Sequence, residues 1–317
     1  MIITLTLNPS IDRTLDLSSR LERGEVLRTP KRAVDVPAGK GVNVTRVLLA
    51  AGTASHAIVA ADTDDPFVQQ LAALDVPFTA IPTGAPVRCN IALTEPDGTT
   101  TKINEPGSPL SVAAIDATLT AVRQHAAHAS WLVIAGSLPS TTAPSVLARV
   151  IETAREANAA IKICADTSGQ ALETVTSLPT PVDLIKPNDE ELAELLAARP
   201  FDDVDSAIAA ATTMIGTRSN AVLLTLGGDG AALITAEGVW RAAPPPTVVR
   251  STVGAGDASL AGYLHAETAH RSPADCLRQA VASGSAAAAL PGTTIPTLAQ
   301  ADADAVVATE GLLRRTP

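Results

Sequence analysis

Residues 131–166 read WLVIAGSLPSTTAPSVLARVIETAREANAAIKICAD. An apolar run, Trp131–Ala135, ends in Gly136-Ser137-Leu138-Pro139, and a second, Ile161–Ala165, closes the stretch. Between them Leu147, Val150, Ile151 and Ala154 recur at helical spacing, which predicts a helix over Thr142–Ala157. Two short apolar strands joined by a helix lie parallel, because a crossover carries the chain back to the starting edge. Apolar residues on both strand faces then require helices above and below the sheet.

The same unit recurs outward. Ile2–Leu7 reads as a buried strand; Pro37-Ala38-Gly39-Lys40-Gly41 then opens a helix marked by Val44, Val47, Leu48 and Ala51 and closed by Gly52. Ala57–Ala60 is a strand and Pro66–Leu74 a helix. Val182–Ile185 is a strand, followed by a helix from Asp189 with Leu192, Leu195 and Leu196 on one face, and Ala221–Leu226 is the last long strand. The expectation is an α/β protein with three α/β/α layers and a mostly parallel central sheet.

Two regions break the rhythm. Arg13–Leu17 and Thr29–Val36 are poor helix material, and Arg88–Thr94 and Thr99–Asn104 flank the hairpin signal Glu95-Pro96-Asp97-Gly98. They suit a small β-sheet lid of residues 12–36 and 88–104, over a core of residues 1–11, 37–87 and 105–317. Pro244-Pro245-Pro246 reads as a stiff connector.

Composition narrows the class. The 317 residues are 46% hydrophobic, so a large core is expected, and the formal charge is −10 with no Lys/Arg-rich run, which argues against nucleic acid. The aromatics, Phe 3, Trp 2 and Tyr 1, leave few platforms for stacking bases. No apolar stretch is long enough to suggest a membrane span, and MIITLTLNPS carries no basic n-region of a signal peptide. Cys89, Cys164 and Cys276 are widely spaced and form no CxxC, as expected of a chain in the reducing cytoplasm.

Several segments carry candidate chemistry. In Ser251-Thr252-Val253-Gly254-Ala255-Gly256-Asp257, ahead of the helix-like run Ala258–Ala266, glycines let backbone N–H groups approach an anion at a helix start. Asp257 beside that anion hole suits a base taking a proton from an attacking hydroxyl; the plain alternative is an acid in a first helical turn. In Lys186-Pro187-Asn188-Asp189-Glu190-Glu191, Asn188 and Glu191 could hold a hydrated Mg²⁺ or form a capping box. In Ala38-Gly39-Lys40-Gly41-Val42-Asn43, Lys40 and Asn43 project from a tight turn toward one ligand, or the stretch is a bare loop-to-helix turn. Thr225-Leu226-Gly227-Gly228-Asp229-Gly230 suits a nucleotide lying against backbone, or a tight hairpin into Ala231–Thr235. Asp12, Arg88 and Lys102 complete the set. There is no GxxxxGK[ST], and Ser259 stands where the third glycine of a GxGxxG would, which argues against a dinucleotide-dependent oxidoreductase.

In order, TLNPSIDRT, AGKGVNVTRVL, VRCNI, INEPG, GSLP, KPNDEEL, TLGGDGA, STVGAGD and PGT resemble the PfkB (ribokinase-like) carbohydrate kinases, and most nearly their 1-phosphofructokinase and tagatose-6-phosphate kinase branch. The resemblance covers nearly the whole chain and implies an ATP- and Mg²⁺-dependent kinase, with room for a monovalent cation such as K⁺. Asp257 would be the general base, and the Gly254, Ala255 and Gly256 amides the hole for the moving phosphoryl group. Asn188 and Glu191 would organise Mg²⁺ through water. Lys186, Asn188, Thr225, Gly227, Gly228, Gly230, Gly256, Ser283 and Gly284 would frame ATP. Asp12, Gly39, Asn43 and Ser137 would hold the sugar, and Lys40, Arg88 and Lys102 the phosphate it already carries. The implied reaction is D-fructose 1-phosphate to fructose 1,6-bisphosphate; tagatose 6-phosphate and fructose 6-phosphate are alternatives, and a non-catalytic sugar-phosphate sensor is a further one. The lid implies a homodimer. The branch has Gly where Ala38 stands, which raises the question of a positive φ there.

Overall fold

A computed structural model describes residues 1–311. Its main sheet has ten strands. Going outward from one edge, these are β5 (Phe78–Ile81), β4 (Ser55–Ala60), β1 (Ile2–Thr6), β8 (Trp131–Ala135), β9 (Lys162–Asp166), β10 (Leu184–Ile185), β11 (Ala221–Thr225), β12 (Ala231–Thr235), β13 (Val239–Ala242) and β14 (Ala308–Gly311). Strands β5 through β11 pair in parallel, as the strand–helix rhythm predicts, and β12, β13 and β14 add an antiparallel edge.

Side chains alternate across the sheet. Ile3, Leu5, Leu132 and Ile134 join one core, with helices α3 (Val112–Ala126), α4 (Ser145–Ala157), α5 (Gly169–Thr176), α6 (Asp189–Leu195) and α7 (Val204–Thr212). Ile2, Trp131 and Val133 join the other, with α1 (Lys40–Ala50), α8 (Ala255–Thr268) and α9 (Pro273–Ala288). Helix α2 (Pro66–Ala73) covers the β4–β5 end, started by Pro66 at N1 and by Asp65, whose carboxylate accepts from Phe67 N. No helix among the described residues is long and apolar enough to cross a membrane.

The rhythm shows neither α3, α5, α7 and α9 nor the strands β5, β13 and β14. Helix α9 explains the difficulty. Its sequence PADCLRQAVASGSAAA is dominated by small residues, yet Ala280, Val281, Ala282 and Ser283 are buried and α9 packs against α8. Gly262 on α8 makes that crossing: a Cβ there would run into Ser283 and the Gln279 carbonyl.

The second sheet has four strands in the order β3 (Val34–Ala38), β2 (Ser10–Asp16), β6 (Arg88–Thr94), β7 (Thr100–Asn104). The hairpin lies where Glu95–Gly98 predicts it. Two boundaries differ from expectation. Strand β2 begins at Ser10 rather than Arg13, and β3 covers Val34–Ala38 rather than Thr29–Val36. Pro37, expected to break the chain, sits within β3, which tolerates it as an edge strand.

The carboxyl ends of the parallel strands, beside this small sheet, are where ligands bind in such folds. Strand β1 lies between β4 and β8, so the connections leave it in opposite directions and open a crevice at its end.

Candidate active site

That crevice is a cleft of about 890 Å³, lined on one side by the small sheet and on the other by the loops after β10 and β11 and the start of α8. Parallel register sets the sheet wall. Ser10 pairs with Arg88 and Asp12 with Asn90, so all four face the cleft. Asp12 Oδ1 accepts from Ser10 Oγ at 2.8 Å and from Asn90 Nδ2 at 3.1 Å. Arg88, half-buried, donates to the Glu105 carbonyl at 2.8 Å and the Asn8 carbonyl at 3.2 Å, which hold its guanidinium at the wall.

Helix α8 supplies the other side. Gly254 takes φ 78°, a left-handed conformation suited to glycine, and the helix starts directly after it. Among the described residues no backbone acceptor meets the amides of Gly256 and Asp257, whereas that of Ala255 reaches the Thr252 carbonyl at 3.3 Å. The Gly254 amide meets none either, so the open donors at this helix start are those of Gly254, Gly256 and Asp257, two of them in the expected Gly254–Gly256 set.

Asp257 is buried in that first turn, and its Oδ2 accepts from Asn43 Nδ2 at 2.8 Å. Burial, and then the nearby carboxylate of Asp166, push its pKa up to about 6, against the Asn43 bond and the ammonium groups of Lys40 and Lys186. The group is thus ionised but still basic at neutral pH.

The sequence reading missed Asp166. It ends β9, is fully buried, and receives Lys40 Nζ at 2.8 Å and Lys186 Nζ at 3.3 Å. Burial opposes its ionisation, but the two lysines outweigh it and hold the carboxyl below its ordinary range. Its Oδ2 has no partner. An acid at the carboxyl end of a fully apolar strand, ICAD, was the signal available. Burial works against the Lys40 charge too, yet the Asp166 and Glu191 carboxylates raise its pKa; Glu191 Oε1 lies 3.9 Å from Nζ. Lys40, expected on the sugar's phosphate, is thus turned toward Asp166 and Glu191.

Asn188 and Glu191 form the capping box that was one of their two sequence readings. Asn188 Oδ1 accepts from Glu191 N at 2.7 Å and Glu191 Oε2 from Asn188 N at 3.0 Å, a complete capping box for α6. Both residues also line the cleft. The cap leaves Glu191 Oε1, and burial leaves Asp166 Oδ2, without a hydrogen-bond donor. Among the described residues no group of three or more His, Cys, Asp or Glu could hold a metal ion by itself. Two free carboxylate oxygens suit a Mg²⁺ that keeps water and phosphate oxygens as most of its ligands.

Beyond them lie Thr225, the turn Gly227–Asp229 with Gly228 in its middle, Gly230, the Pro244–Pro246 connector and Gly284. The glycine-rich turn is both the hairpin between β11 and β12 and a wall of the cleft. Gly256 lets Lys186 reach Asp166, since a Cβ there would sit 3.3 Å from Nζ.

Gly39, with φ 133°, and Asn43 line the cleft beside the small sheet. Three expected residues lie elsewhere. Ser283 is buried between α8 and α9, accepting from Gln279 Nε2 at 3.2 Å. Lys102 is exposed on edge strand β7. Ser137 Oγ accepts from Asn8 Nδ2 at 3.1 Å and is outside the cleft lining. Ala38 is paired with Ser10 in β3 and is absent from the positive-φ positions, so Ala fits there without strain.

The pfkB family carbohydrate kinase model matches residues 5–300. The 1-phosphofructokinase of Escherichia coli is 31% identical over 283 residues, covering 89% of this chain and 88% of that one. The ATP-dependent 6-phosphofructokinase isozyme 2 of Mycobacterium tuberculosis is 31% identical over 297 residues, covering 92% and 85%. Among solved structures, phosphofructokinase-2 from E. coli in complex with substrates and products superposes with a TM-score of 0.87 at 29% identity, covering 95% of this chain and 96% of that one.

Proposed function

Because this chain belongs to the pfkB family of carbohydrate kinases, and phosphorylates a sugar phosphate with ATP, we propose that its acceptor is D-fructose 1-phosphate and its product fructose 1,6-bisphosphate. The observation that carries the mechanism is the placement of Asp257: a buried carboxylate with a pKa of about 6, at the cleft wall beside the open amides of Gly254 and Gly256 and its own.

The sugar lies against the small sheet, with Asp12, Gly39 and Asn43 on its hydroxyls and Arg88 on its phosphate. ATP lies along Thr225, Gly227, Gly228, Gly230 and Gly284, with its γ-phosphate toward the start of α8. Asp257 accepts the proton of the 6-hydroxyl as that oxygen attacks the γ-phosphorus in line, and the bond from the γ-phosphorus to the β–γ bridging oxygen breaks, releasing ADP. The amides and Lys186 hold the charge on the moving group, and the base alone contributes about 10²–10⁴-fold. Asp166, Glu191 and Asn188 would hold a hydrated Mg²⁺, which would supply positive charge beside the phosphates. K⁺ is tested by replacing it with tetramethylammonium in the assay.

We also propose a homodimer through the small sheet. Its outer face carries Leu15, Ile91 and Leu93, half-buried, and Ile103, 54% exposed. A second copy of that face would cover them. The cysteines Cys89, Cys164 and Cys276 are all free, which suits the cytoplasm.

An ADP-release assay with MgATP tests the acceptor, run on fructose 1-phosphate, tagatose 6-phosphate, fructose 6-phosphate, fructose and ribose. Fructose 1-phosphate is expected to lead in kcat/KM by at least tenfold. The relative from M. tuberculosis favours fructose 6-phosphate as the second reading, and preference for that sugar would replace the first. A sensor would bind these ligands without releasing ADP.

A further inference from the structure

Asn90 faces the cleft from β6, directly across from Asp12. Its Nδ2 donates to Asp12 Oδ1, and a carboxylate oxygen only accepts, so this bond orients the amide. The other end, Asn90 Oδ1, is buried and has no donor. Ser10 Oγ, the neighbouring hydroxyl, already donates to Asp12 Oδ1. No side chain among the described residues donates to Asp12 Oδ2 either. The wall thus presents two acceptors side by side: a buried neutral one, Asn90 Oδ1, with no donor, and a charged one, Asp12 Oδ2, partly open to solvent. Buried polar groups in proteins are nearly always paired, and the missing partner must bring O–H or N–H groups. A phosphate oxygen, which only accepts, cannot fill this place.

From this geometry we infer that Asn90 is a specificity-determining residue: its Oδ1 accepts one hydroxyl of the sugar while its Nδ2 turns Asp12 Oδ2 toward the adjacent hydroxyl. The pair reads a vicinal diol, and Arg88, two residues back on the same strand face, takes the phosphate. The inference rests on the sugar-phosphate kinase assignment and adds a hydroxyl reader to it.

The test compares the wild type with Asn90→Ala and with Asn90→Asp, which keeps the side-chain shape. The acceptors are the ketohexose phosphate that the wild type prefers and its 3-deoxy and 4-deoxy analogues. Asn90→Ala should raise KM for the sugar phosphate about tenfold and leave KM for ATP within twofold. One deoxy analogue, penalised by the wild type, should be used by Asn90→Ala as well as the parent sugar. In Asn90→Asp, placing a second carboxylate beside Asp12 should raise KM for the sugar most at high pH and least at low pH. If Asn90→Ala discriminates against both analogues as the wild type does, or KM for both substrates rises together, Asn90 is structural and the inference fails. A wild type that phosphorylates no ketohexose phosphate would instead overturn the kinase assignment itself.

Discussion

Asn43 Nδ2 meets Asp257 Oδ2 at 2.8 Å across 214 residues of sequence, joining the first turns of α1 and α8 inside the cleft. The bond holds the carboxylate without protonating it, because the amide donates to the ionised form. Nearby, Asp166 gathers Lys40 and Lys186, so one buried acid is matched by two cations while the other is left basic. Two acids in one site have environments that separate their proton affinities, an arrangement common where one of them transfers protons.

Replacing Asp257 by Asn keeps the shape and removes the base. We expect kcat to fall by about 10²–10⁴-fold with KM for both substrates nearly unchanged. Stability should move the other way. The Asp257 pKa is raised in the native state from 3.8 to about 6, so the folded protein binds the proton more tightly than the unfolded chain. Its contribution to stability is full below about pH 4 and is lost as pH rises through 6. At neutral pH the Asn variant should therefore melt a few degrees higher by calorimetry; a lower melting temperature would contradict the strained, buried carboxylate.

The same pKa sets the acid limb of activity. kcat/KM should rise with pH through about 6 and then level off, as Asp257 loses its proton. Asp166 is one cause of the raised value, so Asp166→Asn should move this midpoint to lower pH. An unmoved midpoint would show that some other group controls the limb.

Asp166→Ala tests the ion-pair cluster as structure. It leaves Lys186, only 5% exposed at its side chain, without an anion. Removing one partner of a buried pair costs about 3–5 kcal/mol, and the Lys40 share is smaller because that side chain is 35% exposed. A chemical-denaturation midpoint within error of wild type would refute the assigned pairing.

At the sugar end, Arg88→Ala should raise KM for the sugar phosphate at least tenfold while KM for ATP holds. Arg88→Lys should recover only part, since an ammonium cannot reproduce the forked donors of a guanidinium. Equal loss of affinity for free fructose in an inhibition assay would argue against a phosphate partner.

Glu191→Gln separates the two roles of the α6 start. Gln still accepts from Asn188 N and preserves the capping box, so thermal stability should hold. The Mg²⁺ concentration for half-maximal rate should rise severalfold, because the free carboxylate oxygen is gone. Unchanged Mg²⁺ dependence would leave Glu191 with its cap alone. In the same spirit, Ile91→Glu on the outer face of the small sheet should convert dimers to monomers by light scattering.

Much was legible in the linear chain. Residues 131–166 predicted a parallel α/β sheet because apolar runs and helical spacing are local, and the interrupting segments predicted the second sheet by the same means. The glycine-rich stretches at 39–41, 227–230 and 254–256 and the polar residues beside them stood out because backbone conformation and capping depend on near neighbours. Their order along the chain carried the family.

What folding alone decided is which side chains meet. Asp166 looks like the end of an apolar strand until the sheet brings Lys40 and Lys186 to it from 126 and 20 residues away. Lys40 reads as a phosphate ligand, and folding gives it that carboxylate as a partner while leaving it in the cleft lining. Ser283 reads as part of a nucleotide loop until Gly262 lets α9 bury it against α8. Asn90 reads as a polar residue in a hairpin until parallel register sets it beside Asp12. Electrostatic pairing and burial act through space over a few ångströms, so the proton affinities on which this catalysis depends exist only once distant segments are packed together.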